Sequence, residues 1–407
     1  MKNKHLKIEP GKKSVKCIAI LLFLILLLND KSVSQNKIDN VLAEISKNNK
    51  TLIANKEFIK AKGFEFKTGL YLTNPFIEFS NLFGTTADDG NQTEFKLLQS
   101  FDFPSVYSRK RNLSNLRIQQ TKYEREVLRQ DLLLEAKQTC LELIYLNKRS
   151  AVLKRKFENS RFIYELYSGK LNMGEGNILD VNKAKINMLN VKTDIQLNEI
   201  EINNLNVKLT GLNGGVTITF SDTTYPIIPS LPEFVTLENT IEINDPLKKY
   251  LEQEILINKS LVEVSKSLNL PRFELGYYYQ GIGSQKYNGF QLGFSIPLWE
   301  NKYKTDFYSS KVLYSSLEIE SHKNEHYYEI KKLYEKQNSL NESLIEYQIA
   351  LQTSDNNEIL LRALNVGELS LIEYLMETGF FFSSYDIYLE IEKEFQKIIA
   401  ELYKYRL

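Results

Sequence analysis

The stretch Phe-Asp-Phe-Pro at 101–104 decides the fold, because a similar stretch, Phe-Ser-Ile-Pro, occurs at 294–297. The two are 193 residues apart, and the same offset relates Asn-Met-Gly-Glu at 172–175 to Asn-Val-Gly-Glu at 365–368. An ordered series of matches with one offset indicates an internal duplication. The chain is therefore predicted to contain two structural repeats.

The boundaries of these repeats follow from the extent of the matches. The first repeat is predicted to cover 35–212 and the second 237–407. A linker or equatorial segment at 213–236 joins them.

Long stretches without proline follow both Phe-x-x-Pro stretches. No proline occurs from 105 to 225 or from 298 to 407. A proline inside a helix costs about 3 kcal/mol, so these stretches permit very long helices. One helical hairpin is predicted over about 105–212 and a second over about 298–405.

Apolar and polar residues alternate in the segments before each long helix. Between 290 and 296, for example, every second residue is apolar. This period of two predicts strands with one apolar face. We predict β-hairpins at about 71–104 and about 271–297, with loops at 84–91 and 281–288.

Residues 1–34 are predicted to be a signal peptide that is removed on export. Basic residues precede an apolar run at 17–28, which is shorter than the roughly 20 residues of a membrane-spanning helix. Small residues then precede a cut ahead of Gln35. A retained N-terminal membrane anchor is the alternative. Cys140 is the only cysteine after the cut, so no internal disulfide is predicted.

Export, aromatic enrichment and strands of spanning length favour a membrane barrel over a half-buried soluble sheet. Four strands are too few to close a barrel, and lipid tolerates no open sheet edge. Several copies of the chain must therefore share one barrel.

Enzyme and nucleic-acid functions find little support. The chain has 52 Lys and Arg against 51 Asp and Glu, without the clustered basic surface that nucleic acid requires. His322 and His326 are spaced like a helical metal-ligand pair, but no Glu follows His322 as in zinc proteases, and we interpret them as a surface pair. No catalytic residue, cofactor site or metal site is predicted.

The combined pattern resembles the TolC-like outer-membrane efflux family over essentially the whole chain after the leader. Val-Gly-Glu-Leu-Ser-Leu-Ile-Glu-Tyr-Leu at 366–375 is similar to that family's turn motif, and 173–181 is the first-repeat version. The two Phe-x-x-Pro stretches resemble its strand-to-helix junctions. The resemblance implies an α+β membrane protein that forms a homotrimer. Four strands per chain would build one β-barrel in the outer membrane, continued by a long α-helical periplasmic tunnel.

The resemblance also implies partners and functional positions. An inner-membrane pump and a periplasmic adaptor (membrane fusion) protein would complete an efflux system, with the adaptor docking on the turns of the helical hairpins. The expected docking residues are Met173, Gly174, Gly176, Asn177, Val366, Gly367, Leu369 and Ser370. The structural role expected for Gly174 and Gly367 is to supply the positive φ of tight turns.

The periplasmic pore constriction is expected at Asp180 and Glu373, for which the alternative role is that of acids complementing a helix start. Met376 and Leu369 stand where some family members carry a second acid and a basic latch residue, which argues against a bonded lock.

Two other functions stay open at this stage. An exported coiled-coil structural protein or adhesin would use the long helices without needing alternating hairpins. Within the channel class, heavy-metal efflux and type I protein secretion are alternatives to small-molecule efflux.

Overall fold

The computed structural model of the chain describes residues 33–86, 90–227, 230–353 and 356–407. The predicted signal peptide lies outside the described residues, apart from Val33 and Ser34. Among the described helices, none has the length and apolar character needed to cross a lipid bilayer.

The same order of elements occurs in both halves: two helices, two strands and then long helices. The first half contains α1 (Val33–Asn48), α2 (Lys50–Glu65), β1 (Phe76–Leu82), β2 (Gln92–Phe101), α3 (Pro104–Asn172) and α4 (Ile178–Leu212). The second contains α5 (Phe234–Asn244), α6 (Pro246–Ser267), β3 (Arg272–Ile282), β4 (Gln285–Ser295), α7 (Lys304–Thr353), α8 (Asn357–Val366), α9 (Leu371–Leu402) and a 3₁₀ turn (Lys404–Arg406). The sequence analysis did not predict α1, α2, α5 or α6.

The chain divides into two compact units. The strand unit comprises 53–128 and 238–329 and contains all four strands. The turn unit comprises the described part of 1–52 together with 129–237 and 330–407, and it contains the turns of both helical hairpins.

The four strands form one antiparallel sheet in the order β1-β2-β3-β4. The two predicted hairpins are therefore joined side by side, because β2 pairs with β3 from Gln92↔Ile282 to Phe101↔Phe273. The rings of Phe101 and Phe273 stack with their centroids 5.8 Å apart.

One face of this sheet is apolar across all four strands. Directly paired residues point to the same face, and the register aligns Ile77 with Leu97, Leu97 with Tyr277, and Tyr277 with Phe290. Phe290 is 92% exposed. The predicted alternation is confirmed, and a broad apolar surface lies open on one side of the sheet.

The opposite face of the sheet is polar and charged. Glu78 pairs with Lys96, and the ammonium of Lys96 lies 3.4 Å from the Glu78 carboxylate and 3.5 Å from that of Glu94. On the same face, the Ser100 hydroxyl donates to Glu274 over 3.2 Å.

The second hairpin loop is shorter than predicted. Strands β3 and β4 extend through most of 281–288 and leave only Gly283 and Ser284 between them. Gly283 has a φ of 57°, which a glycine adopts without strain and which permits the tight reversal. In the first hairpin, β1 ends at Leu82 and β2 begins at Gln92.

The second helical hairpin differs from the prediction in two places. Its first helix begins at Lys304 instead of 298, because the side chain of buried Asn301 donates to the Leu268 carbonyl over 2.7 Å and holds the preceding segment in turns. Helix α7 then ends at Thr353, helix α8 begins at Asn357, and Asn356 before it is not helical. Asparagine is a weak helix former, which favours a helix end at this point.

The first helical hairpin consists of α3 and α4. Pro104 begins α3, where its missing N–H and fixed φ are favourable. Helix α4 ends at Leu212, and Gly214 has a φ of 68° with no space for a side chain, because a Cβ would lie 2.3 Å from the Asn48 carbonyl oxygen. The predicted linker at 213–236 contains the start of α5 and contributes buried side chains to the core of the turn unit.

That core gathers side chains from distant parts of the chain. It joins α1, the middle of α3, the end of α4, the segment around Phe220 and the end of α9. In the strand unit, Leu113 of α3 packs with Ile257 and Val264 of α6.

Candidate functional site: the turns of the helical hairpins

The first turn, at 173–177, closes the α3–α4 hairpin with a left-handed glycine. Gly174 has a φ of 78°, and its N–H donates to the Leu171 carbonyl over 3.0 Å. The Glu175 N–H donates to the Lys170 carbonyl over 2.9 Å. These two bonds form the Schellman arrangement, in which a glycine satisfies the last carbonyls of a helix.

The second turn, at 367–370, repeats this geometry 193 positions later. Gly367 has a φ of 81°, and its N–H donates to Leu364 over 3.3 Å. The Glu368 N–H donates to Ala363 over 2.9 Å. The conformational role expected for both glycines is therefore present.

The helices that leave the two turns start with different caps. The Asn177 side chain accepts the Leu179 N–H over 2.9 Å. Ser370 and Glu373 instead form a reciprocal capping box, in which the Ser370 hydroxyl accepts the Glu373 N–H and the Glu373 carboxylate accepts the Ser370 N–H over 2.8 Å. The second turn is thus fixed on both sides.

Gly176 has a structural role that the sequence analysis did not separate from docking. A Cβ at this position would lie 2.6 Å from the Leu171 backbone nitrogen, so no larger residue fits without moving the end of α3. Gly176 and Leu369 are half-buried, whereas the other predicted docking residues are exposed.

The exposed side chains at the turns are unusually apolar. Met173 is 68% exposed and Val366 is 65% exposed. Ile178 and Leu179 add to the surface at the first turn, and Ile372 does so at the second. Exposed apolar side chains at a loop tip are typical of partner surfaces.

The two predicted constriction acids have different surroundings. Asp180 lies 3.4 Å from the ammonium of Lys183, which compensates its charge. The position equivalent to Lys183 in the second repeat is Met376, which carries no charge.

Glu373 is held by its capping contacts. Hydrogen bonds from Ser370, first from its backbone and then from its side chain, lower the pKa of Glu373. This lowering is opposite to the effect expected from a ring of like charges. That effect requires several copies of the chain and stays a prediction.

A single apolar cluster lies beneath both turns. It contains Ile163 of α3, Ala184 of α4, Leu364 of α8, and Leu371 and Tyr374 of α9. The helices flanking the first turn are therefore packed against those flanking the second.

Tyr374 is the residue of this region that the sequence analysis missed. Its side chain is fully buried, and its hydroxyl donates to the Asn159 Oδ1 over 2.7 Å. The Asn357 Oδ1 lies 3.3 Å from the same hydroxyl. Burial raises the pKa of Tyr374, although the bond to Asn159 opposes the shift. A tyrosine directly after the predicted constriction acid was the available signal.

The histidine pair is not the simple surface pair that was predicted. His322 and His326 are half-buried, and His322 Nε2 lies 2.8 Å from the Asp245 Oδ2. The prediction was wrong because the fold places the start of α6 against α7, a contact between residues 77 positions apart.

Comparison with known proteins identifies the fold. No protein-family model and no curated protein sequence matches the chain. The solved structure of CusC, which describes transmembrane channel formation, is similar with a TM-score of 0.78 and 16% identity, over 91% of this chain and 92% of that one.

Two further solved structures agree. The CmeC outer membrane channel of Campylobacter jejuni has a TM-score of 0.71 at 16% identity, over 90% of this chain and 85% of that one. The outer membrane protein VceC of Vibrio cholerae has a TM-score of 0.74 at 11% identity, over 91% and 96%. The predicted resemblance to outer-membrane channels is confirmed at the level of the fold.

Proposed function

Because the chain has the fold of outer-membrane channels, we propose that it is a channel subunit of the bacterial outer membrane that extends into the periplasm. It would pass small molecules from an inner-membrane pump and a periplasmic adaptor to the exterior. The observation that carries this proposal is the four-stranded sheet, with one continuous apolar face and one charged face.

The two faces of the sheet correspond to the two environments of a membrane barrel. The face with Leu97, Tyr277 and Phe290 has the apolar character that suits lipid, and the face with Lys96 and Glu94 suits a water-filled lumen. A soluble sheet would normally cover such an apolar face with helices.

The sheet edges favour a homotrimer. Within the described residues, β1 and β4 each pair with one neighbour only, so each keeps an open edge. Open edges are excluded from lipid, and joining β4 of one copy to β1 of the next removes them. Three copies with four strands each would form a twelve-stranded barrel, the number implied by the family resemblance.

The turns of the helical hairpins support adaptor docking. Two turns per chain have the same backbone geometry and expose apolar side chains, including Met173 and Val366. A trimer would offer six similar sites to a ring of adaptor subunits. The charge of Glu373 would lie near the opening that these turns surround, and Asp180 would contribute less because of Lys183.

A structural protein or adhesin explains the long helices but not the apolar sheet face. Heavy-metal efflux and type I protein secretion use the same kind of duct and are the alternatives within the class. No catalytic role is proposed.

Reconstitution tests the proposal directly. Detergent-purified protein inserted into a planar lipid bilayer should produce discrete ion conductance steps. Protein that binds the bilayer without conducting would contradict the channel assignment and favour a structural role.

A further inference from the structure

Three potential metal ligands converge in the strand unit. Asp245 precedes Pro246 at the start of α6, and His322 and His326 lie one turn apart on α7. One ligand atom of each lies within 4.8 Å of the other two. The imidazole rings stack with their centroids 5.3 Å apart and an angle of 21° between them, so both extend from the same side of the helix.

The carboxylate of this group is held in place by the backbone. Asp245 caps α6, accepting the Leu247 N–H over 2.9 Å and the Lys248 N–H over 3.1 Å. Its Oδ2 also contacts His322 Nε2 at 2.8 Å. The ligand is therefore oriented by the protein itself.

A second acid nearby is already occupied by other contacts. Glu242 lies 2.7 Å from the Lys248 ammonium and 3.6 Å from that of Lys323. It is thus engaged by two cations, and the ligand set is one carboxylate and two imidazoles.

We propose that Asp245, His322 and His326 form a binding site for one divalent transition-metal ion of the zinc, cobalt or nickel type. Neutral imidazole with one carboxylate suits these ions, whereas calcium and magnesium prefer oxygen ligands alone. Water completes the coordination.

The required movements are small. In a tetrahedral site with metal–ligand bonds of about 2.0–2.1 Å, the ligand atoms lie about 3.4 Å from one another. The 2.8 Å contact must open slightly, and the widest separation, at most 4.8 Å, must close by at most about 1.4 Å. Because the backbone of α6 holds the carboxylate, these movements fall to the two histidine side chains.

The bound ion would cross-link the α5–α6 corner to α7. This site shares no residue with the turns and does not rest on the channel proposal. The competing explanation is a metal-free Asp245–His322 contact that only fastens the corner, in which His326 has no part as a ligand.

Titration with metal separates these explanations. The full chain, prepared without a histidine tag and stripped with EDTA, is titrated with Co²⁺ and Zn²⁺ while Co²⁺ absorption and heat are recorded. Since the sequence has only His5 besides this pair, background binding is low. We expect one ion per chain, intense tetrahedral Co²⁺ bands, and their displacement by Zn²⁺.

Variants locate the ion. His326→Gln and His322→Gln should each weaken Zn²⁺ binding at least about tenfold. Loss of a residue that only supports a metal ligand already lowers metal affinity by about this factor, so loss of a ligand should lower it at least as much. Glu325→Gln, a charge change at an exposed neighbour, should bind normally. The proposal would be overturned if the unmodified chain bound no Zn²⁺, a result that can be obtained without any variant. It would also be overturned if His326→Gln bound Zn²⁺ as tightly as the unmodified chain.

Discussion

The buried hydroxyl of Tyr374 on α9 donates a 2.7 Å hydrogen bond to the Asn159 side chain on α3, which joins the second helical hairpin to the first directly beneath their turns. The contact spans 215 positions of sequence. Both turns are thus supported by one shared polar link within the apolar cluster.

Tyr374→Phe should loosen the turn region without preventing assembly. The change leaves the Asn159 oxygen, on a half-buried side chain, without this donor, at a cost of about 1 kcal/mol. Hydrogen exchange of the amides at 371–378 should become faster. Tyr328→Phe, which removes an exposed hydroxyl, is the control and should leave exchange there unchanged. Equal exchange in both variants would show that the link contributes nothing.

If the apolar face of the sheet contacts lipid, a charge at Phe290 and the same charge at the neighbouring Gln291 should affect assembly very differently. Phe290→Lys places a charge on the apolar face and should cost about 2–4 kcal/mol if the position is at mid-bilayer. Gln291→Lys places the same charge on the opposite face and should be tolerated. Heat-modifiable protein in the outer-membrane fraction measures assembly. Similar assembly of the two variants would rule out lipid contact at Phe290.

Adaptor docking predicts that the apolar turn surface is needed for function. Val366→Asp should abolish efflux in cells while the level of assembled protein stays normal. Asn365→Asp adds the same charge one residue earlier and should retain most activity, because it removes no apolar contact. Full resistance in Val366→Asp cells would exclude this turn as the docking surface.

The geometry of Gly367 gives a second test of the same turn. A Cβ at this position meets no atom within 4 Å. Gly367→Val therefore acts only through the backbone φ of 81°, which a valine adopts at a strain of about 1–3 kcal/mol. Gly367→Asn, whose side chain tolerates a left-handed backbone, should retain efflux. Loss of assembly with Gly367→Val would show a purely structural glycine.

If Asp180 and Glu373 line the pore constriction, the channel should prefer cations when its conductance is measured in a planar bilayer. Glu373→Gln keeps an acceptor for the capping box and should weaken the preference, and Glu373→Lys should reverse it. Asp180→Asn should have a smaller effect because Lys183 compensates Asp180. Unchanged selectivity in the Glu373 variants would place this carboxylate away from the pore.

Measuring the cation preference of the same conductance at decreasing pH distinguishes a ring of Glu373 carboxylates from isolated Glu373 carboxylates. The bonds from Ser370 lower the pKa of Glu373 within one chain, so isolated groups should lose their charge, and with it the cation preference, only below the ordinary value of about 4.3. Three neighbouring carboxylates repel one another and raise the pKa. This repulsion opposes the lowering by Ser370, so the ring predicts a higher midpoint than isolated carboxylates do.

Local patterns in the sequence predicted the apolar sheet face, the left-handed glycines at 174 and 367, and the long helices. They did not reveal contacts between distant residues, such as Tyr374 with Asn159 or Asp245 with His322, because no periodicity links residues so far apart. Helix α7 ends at Thr353, where the sequence has a polar run, but the absence of proline led to the prediction of one uninterrupted helix there.

The mass of the detergent-purified complex tests the central claim most directly. Among the residues that the structure describes, β1 and β4 each have an open edge, so an assembly that shares one barrel is required in lipid. Native mass spectrometry should find three chains per complex. A monodisperse single chain that still conducts in a bilayer would contradict the shared barrel.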